Sequence, residues 1–578
     1  MVGPSMAMAR RIQLLAFIIC TLQACGGDAT GPSTTAPQIV SIGPNRARPN
    51  TGEFYLVVRG HHFHDSSVVH WNGSPRQTTF LDSARLVAFI RDQDIAAAGT
   101  REIVVVNPNG ERSAPVSFTV ADNAIAFGVD SILPPCCGDA SAGVTVAVYF
   151  NETLDVESLG DGALRVFDDT TPVAGTVTYD AGSKSLRFST PLPALRRYTV
   201  RATDALRSTS GGGLQEPVVW NFTTARGAIV ALGSGDFASL ALGAGGRPRI
   251  AYRWMDGVTF AMSLRLATCT ADCTQRGGWA TQTVDGGSGG KVGLYASMTA
   301  NSSGGLHVAY QDFGNDVAKF ATIGGGATTV QGSGGAAFTS LAVGPANRLY
   351  LTYFDAATGD LRSATCTASC LTAANWTVNT VDTAGNVGAF SSVAVDAGGT
   401  VHVTYFENDE GDLRYAMCPG PCTAATWTTS IIDTTGRVGL GSSLVVDGNG
   451  GSHVTYYDQT NGTVKYGACT ASCEVATNWI TSVLTPIAAP NTDVGFYTPS
   501  LALGPGAHLE VAFANYVTSR YESATCSTSC TSAGAWTVEP VSLQGPGFGG
   551  LTSLKVDAAG LRHLAWTHAS GMLQYMQY

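Results

Sequence analysis

The sequence predicts an all-β protein in which two β-sandwich modules precede a seven-bladed β-propeller. Three observations carry this expectation. Val, Thr and Tyr are plentiful beside 69 glycines, and long helical periodicities are missing. Short alternating runs are separated by turn pairs such as Asn72-Gly73 and Asn109-Gly110. From residue 239 onward the chain repeats at intervals of about 43 to 58 residues, the length of one four-stranded blade.

The repeat sets the architecture. A Ser followed by an apolar residue opens each unit, at Ser239, Ser297, Ser340, Ser392, Ser443, Ser500 and Ser553. One full unit runs from Ser392 through Val401–Glu407 and Asp412–Cys418 to Trp427–Asp433, which reads as strands A, B, C and D. Six units are complete, and the seventh stops at Tyr578 after strand C. Its missing strand stands at the other end of the array, as Ala228–Leu232 before the first strand A. An N-terminal strand that completes the last blade closes the ring and leaves no free sheet edge. The expected propeller spans residues 227–578.

The segments ahead of the array differ in character. Residues 1–25 read as a targeting segment, with Arg10 and Arg11 before an apolar stretch from Ile12 to Leu22. That stretch is far short of the roughly 20 residues a mature spanning helix needs. It ends in Leu22-Gln23-Ala24-Cys25, which resembles the lipobox of bacterial lipoproteins; Cys20 follows the bulky Ile19 and is no rival. The resemblance implies lipidation of Cys25, and Gly26 in place of Asp implies sorting to the outer membrane, on either its periplasmic or its cell-surface face. Several acyl chains on one residue give stable anchoring where one would not. Residues 26–36 form a Gly/Ser/Thr/Pro linker with a reach of about 18 Å as a flexible coil.

Residues 37–120 carry Ser41-Ile42-Gly43-Pro44, Gly60 with Phe63, Val68–Gly73 and Val104–Gly110, and close on the strand Val116–Val120. They resemble an IPT/TIG domain, an Ig-like sandwich. Residues 125–224 carry Val144–Asp155, Leu186-Arg187-Phe188, Tyr198-Thr199-Val200 and Trp220–Thr224. They resemble a second bacterial Ig-like type found in S-layer and other surface proteins. Both resemblances imply spacer modules. His61, His62 and His64 lie where the first family has a turn and have no acidic or Cys partner, so no metal site is expected there.

Five units carry C-x3-C between strands C and D: Cys269/Cys273, Cys366/Cys370, Cys418/Cys422, Cys469/Cys473 and Cys526/Cys530. Zinc sites would want shorter spacing and two further ligands, whereas disulfides suit an exported protein and a tight loop. Disulfides are the expectation, at about 2 kcal/mol for so small a ring. Their expected role is to pin the outer hairpin of each blade that carries them. Cys136 and Cys137 either pair with each other or cross-link elsewhere.

Polar residues recur from unit to unit. His307, His402, His453 and His563 share one position at the start of strand B, where Tyr350 stands in the third unit. Asp312, Asp355, Glu407 and Asp458 end strand B, and Arg265, Arg362, Arg414 and Lys465 precede the hairpin cysteines. Catalysis needs such groups once, at a unique place, so their recurrence points to use by each blade in turns and cross-strand hydrogen bonds. A different set reads as a recognition surface. Phe237, Tyr295, Phe338 and Phe390 stand two residues before the opening Ser, with Tyr497 offset by one. The B-to-C loops bring Asp355, Glu407 and Asp458 to the same face, and aromatics beside carboxylates suit sugar rings or extended chains. The bland alternative is that the aromatics plug the channel as core.

The repeats resemble sialidase-like and lectin-like propellers in architecture, without that family's S-x-D-x-G-x-x-W signature, arginine triad or nucleophile. No hydrolase, zincin or phosphate-loop motif stands in a suitable context, so no catalytic residue, cofactor or metal is assigned. The net charge of −10 disfavours nucleic acid as a partner. The expected function is an envelope-anchored binding or adhesion module, a monomer held to the membrane by its lipid and recognising glycan or surface protein. The alternatives are a polysaccharide-active hydrolase or lyase and a structural envelope component.

Overall fold

The computed structural model describes residues 36–578 apart from 48, 50–53, 122–126, 137–138, 142, 161, 210, 215, 257–258, 287–289, 421, 423–426, 489–498, 533, 544–550 and 569–570. Cys25, Cys137 and Tyr497 therefore lie outside the described residues. Strands and short 3-10 turns make up the regular structure, and no described helix is long and apolar enough to cross a membrane.

Two β-sandwiches come first. One pairs a four-stranded sheet (Gln38–Gly43, Phe54–His61, Arg85–Ile90, Thr78–Asp82) with a five-stranded sheet that includes Val68–Trp71, Gly99–Val106 and Val116–Val120. Leu56, Val58, Leu86, Ile103 and Phe118 alternate inward, and Trp71 lies 4.9 Å from Phe118 between ring centroids. The second repeats the four-plus-five arrangement between residues 129 and 224, around Val148, Phe188, Tyr198, Trp220 and Phe222. His61 and His62 are exposed, and among the described residues no group of three His, Cys, Asp or Glu is placed to hold a metal.

Seven four-stranded antiparallel sheets follow, each with strand order A-B-C-D. Sheets 1 to 6 span residues 236–285, 292–334, 336–382, 387–433, 438–486 and 500–542. Sheet 7 takes A, B and C from Thr552–Val556, Arg562–Thr567 and Met572–Gln577, and its D strand is Ala228–Ser234. The A strand of each sheet packs on that of the next, and the A strand of sheet 7 packs on that of sheet 1.

The opening serines explain why each repeat begins as it does. Each Ser Oγ accepts a hydrogen bond from the backbone N–H just after the opening Ser of the next repeat. The bonds run Met298 to Ser239, Leu341 to Ser297, Val393 to Ser340, Leu444 to Ser392, Leu501 to Ser443, Leu554 to Ser500, and Leu240 back to Ser553. All seven are 2.9 to 3.1 Å long. The cycle ends on the residue after the Ser where it began.

The recurrent polar residues join neighbouring sheets. Tyr310, Tyr405 and Tyr456 on B strands donate to Asp285, Asp382 and Asp433 on the D strand of the preceding sheet, at 2.5, 2.7 and 2.7 Å. Lys319, Arg414 and Lys465 complete each group as ion pairs to the same Asp. His402, His453 and His563 place Nδ1 2.6 to 2.7 Å from the hydroxyls of Tyr415, Tyr466 and Tyr575, with Nε2 toward Asp396, Asp447 and Asp557. His307 instead neighbours Thr322 and Asn301.

The five C-x3-C loops are disulfide-bonded, with Cα–Cα distances of 5.5 to 6.0 Å. In four of them the second Cys carbonyl accepts the indole N–H of a Trp six residues on: Trp279, Trp376, Trp479 and Trp536, at 2.9 to 3.0 Å. Those indoles pack edge-on against Tyr575, Phe320, Tyr415 and Tyr466 of the preceding sheet. Trp279 on Tyr575 joins sheet 1 to sheet 7. Cys136 is also disulfide-bonded.

One loop differs from the other four in its backbone. Cys422 is bonded to Cys418, but it is itself left-handed (φ 51°) and buried, and its carbonyl accepts from Asn379 Nδ2 at 3.4 Å instead of from an indole. In three other loops the left-handed residue is the Ser just before the second Cys: Ser369, Ser472 and Ser529. Trp427 stands five residues after Cys422 rather than six, and its indole N–H has no partner among the described residues.

The buried histidines fix a pH dependence. Burial holds His307, His402 and His563 below their ordinary value of 6.5. The unfolded chain then binds protons that the folded chain refuses, so stability falls as pH drops below about 6.5. Against opposing burial, the Thr400 N–H and hydroxyl and the nearby His402 imidazole hold Asp396 below 3.8. That contribution is present above 3.8 and is lost only in stronger acid. Thermal melts at pH 7.5 and 5.5 should show a lower Tm at 5.5, with net proton uptake on unfolding; equal Tm values would contradict the assignment.

Candidate functional site

The aromatic positions share one backbone device. In sheets 1 to 5 the A strand carries a bulge, two residues opposing one on strand B, just before the opening Ser. The first bulge residue is left-handed in every case: Phe237 (φ 49°), Tyr295 (50°), Phe338 (54°), Phe390 (53°) and Gly441 (59°). Only Gly enters this region without cost. An aromatic residue there carries roughly 1 to 3 kcal/mol of strain. Hydroxyls from the neighbouring sheet hold the strained carbonyls: Thr339 donates to Tyr295 O at 2.6 Å, Ser391 to Phe338 O at 3.2 Å and Ser442 to Phe390 O at 3.0 Å.

The four rings meet in an arc. Centroids are 5.0 Å apart for Phe237–Tyr295, 4.4 Å for Tyr295–Phe338 and 4.4 Å for Phe338–Phe390. Phe354 and Phe406 on the B strands back Phe338 and Phe390, each at 6.4 Å. Guanidinium groups bracket the assembly, with Arg253 4.9 Å from the Phe237 ring and Arg437 4.8 Å from that of Phe406. Phe338 is buried, whereas Phe237, Tyr295 and Phe390 keep part of their surface exposed. Burial pushes the Tyr295 phenol above its ordinary value, so it is a neutral hydrogen-bonding group. The arc ends at Gly441, which has no ring to continue it.

The three candidate carboxylates are not free to join this surface, because each is taken up by its own B-to-C hairpin. Asp355 accepts from Ala357 N at 3.0 Å and Arg362 Nε at 3.2 Å. Glu407 accepts from the N–H groups of Asp409 and Glu410 at 2.9 and 2.7 Å. Asp458 accepts from Asn461 N and Nδ2 at 3.0 and 2.8 Å. All three are buried. The pattern of a carboxylate followed by its own turn was readable in the repeats and points to hairpin capping.

Gln311, which the sequence did not single out, holds in sheet 2 the strand position that Phe354 and Phe406 hold in sheets 3 and 4. Its side chain is fully buried, and neither amide atom has a hydrogen-bond partner among the described residues.

Among solved structures, the chain is similar to an auxiliary nutrient binding protein from Bacteroides thetaiotaomicron (9% identity, 94% of this chain and 98% of that chain, TM-score 0.33). It is also similar to the NanB sialidase from Streptococcus pneumoniae (8% identity, 91% and 94%, TM-score 0.38) and the polysaccharide lyase Uly1 (11% identity, 59% and 88%, TM-score 0.36). No curated protein matches. Two family models match, one for the IPT/TIG domain over residues 37–120 and one for a bacterial Ig-like domain over residues 113–224. The strand Val116–Val120, which both matches include, pairs within the first sandwich. The chain therefore carries an IPT/TIG domain followed by a bacterial Ig-like domain ahead of its seven sheets.

Proposed function

We propose that this chain is an envelope-tethered binding protein whose seven sheets form a closed β-propeller and whose aromatic arc holds the apolar face of a glycan. The cycle of serine hydrogen bonds supports closure. The Cys25 lipobox and the five disulfide loops support export and anchoring at the outer membrane, with the two Ig-like modules as spacers.

One observation carries the recognition role. Sheet 5 builds the same bulge with Gly441, so the bulge itself needs no ring, and four consecutive sheets nevertheless hold strained aromatics there. Strain held in place by neighbouring hydrogen bonds at a partly exposed surface is characteristic of sites kept for binding. Edge-joined aromatic rings with flanking guanidinium donors suit sugar rings, which combine an apolar face with a hydroxyl rim.

The Phe390→Gly variant separates recognition from packing. Relief of roughly 1 to 3 kcal/mol of strain opposes the loss of a mostly buried ring, about 1.5 to 3 kcal/mol. Its Tm should therefore stay close to the parent's. A glycan array probed with parent and variant should show hits that weaken about tenfold in the variant, or about 1.4 kcal/mol. Absence of any glycan hit for the parent, together with capture of a protein partner, would overturn the carbohydrate assignment.

A further inference from the structure

The repeats pair a cation with an acid from sheet to sheet, and sheet 1 breaks the pairing. Arg265, Lys319, Arg362, Arg414 and Lys465 hold one position on strand C, opposite the B-strand residues Tyr252, Tyr310, Tyr353, Tyr405 and Tyr456. Four of these cations are neutralised within the protein. Lys319, Arg414 and Lys465 pair with Asp285, Asp382 and Asp433 on the preceding sheet, and Arg362 pairs with Asp355 at the end of its own B strand. Arg265 makes no ion pair with any described residue, and its Nε is buried without a hydrogen-bond partner among them.

Both acids of the repeat are replaced around Arg265. Trp254 stands where Asp312, Asp355, Glu407 and Asp458 end the B strand in sheets 2 to 5. Gly233 stands on the D strand of sheet 7 where Asp285, Asp382 and Asp433 stand on theirs, each opposite a strand C leucine. A Cβ at Gly233 would meet no atom within 4 Å, so the place of the missing carboxylate is open. The two other acids of this stretch are committed elsewhere. Asp236 accepts from Arg253 Nε and Asp256 from Thr259 N, both at 2.7 Å.

The guanidinium is held ready for a partner. It lies 3.7 Å from the centroid of the Trp254 ring, and it donates to the hydroxyl of Tyr252, whose counterparts Tyr310, Tyr405 and Tyr456 donate to an Asp. Arg265 and Gly233 keep part of their surface exposed, and Ser234 beside them is exposed, so the gap is reached from solvent.

We propose that Arg265 is a carboxylate-binding site at the junction of sheets 7 and 1, where a ligand supplies the acid that this repeat omits. A guanidinium fork takes a carboxylate through two parallel N–H bonds, and one already stacked on an indole loses little freedom in doing so. A covered donor without a partner gains most from acquiring one. The carboxylate of an acidic sugar and that of a free small acid share this chemistry. Gly233 lies four residues before Phe237, at most about 13 Å at strand rise, so the site adjoins the aromatic arc. It uses none of the arc's rings and stands whether or not the arc binds glycan.

Ligand-observed saturation-transfer NMR on the full chain carrying Cys25→Ser tests this. Sodium glucuronate, sodium acetate and neutral glucose are titrated at one ionic strength, set with sodium chloride. The parent should bind glucuronate saturably and at least about tenfold more tightly than glucose, and acetate should displace it. Displacement at equal acetate assigns the site to a free carboxylate, whereas a need for tenfold more acetate assigns it to an acidic sugar. Arg265→Gln should erase the preference for glucuronate over glucose. Trp254→Asp, which gives Arg265 the acid that Arg362 finds in Asp355, should silence the site as well; cooperative melts verify that each variant folds. Equal binding of glucuronate and glucose by the parent, or a preference that survives in either folded variant, would overturn the site.

Discussion

Val230→Asp should destabilise the chain by at least about 3 kcal/mol and turn a cooperative melt into an aggregating one. Val230 is 3% exposed in the strand Ala228–Ser234 and pairs with Tyr575 of sheet 7. A carboxylate there is desolvated against Leu232, Leu240, Leu573 and Tyr575. The consequence goes beyond one cavity, because this strand joins the start of the array to its end. Its release uncovers the edge of Met572–Gln577, a row of unpaired backbone groups open to another chain. The control is Val219→Asp, at a position 40% exposed in the second sandwich, which should change stability by less than about 0.5 kcal/mol. Equal melts for the two variants would contradict the closing role of the strand.

Reduction of the disulfide loops should produce the second large effect. Each loop contributes about 2 kcal/mol in the chain-entropy account. The bonds also fix the carbonyls of Cys273, Cys370, Cys473 and Cys530 that receive the Trp indoles. Each of those indoles covers an aromatic ring of the preceding sheet, so a loosened loop weakens a junction between sheets as well as its own hairpin. Melts in dithiothreitol, with thiols counted to verify reduction, should fall by many degrees. An unchanged Tm after verified reduction would show that the loops are ornaments on sheets already secured by their cores.

Much of this architecture was legible because the repeat is regular. The opening Ser marked every unit, and Ala228–Leu232 was recognisable as the missing fourth strand of the seventh. The hydrogen bond each Ser makes was not legible, because its partner is a backbone N–H in the next repeat, which any residue supplies. The cysteine spacing likewise hid the departure at Cys422, because its left-handed backbone leaves no mark on the C-x3-C pattern. The arc shows the same division. Phe237, Tyr295, Phe338 and Phe390 stood out by position, but their left-handed backbone leaves no mark on an aromatic residue. Gly441 at the equivalent place was the available clue. Asp355, Glu407 and Asp458 were drawn into the site by their nearness to one face, whereas local turn hydrogen bonds decide where their oxygens point. Gln311 stayed hidden because one amide within a strand carries no pattern.

The most direct measurement is a crystal structure of the chain soaked with the glycan that an array selects. The account predicts ligand density against the rings of Phe237, Tyr295, Phe338 and Phe390, with the four residues still left-handed. Density seated on an Ig-like module or on the outer D strands, with the arc bare, would contradict it.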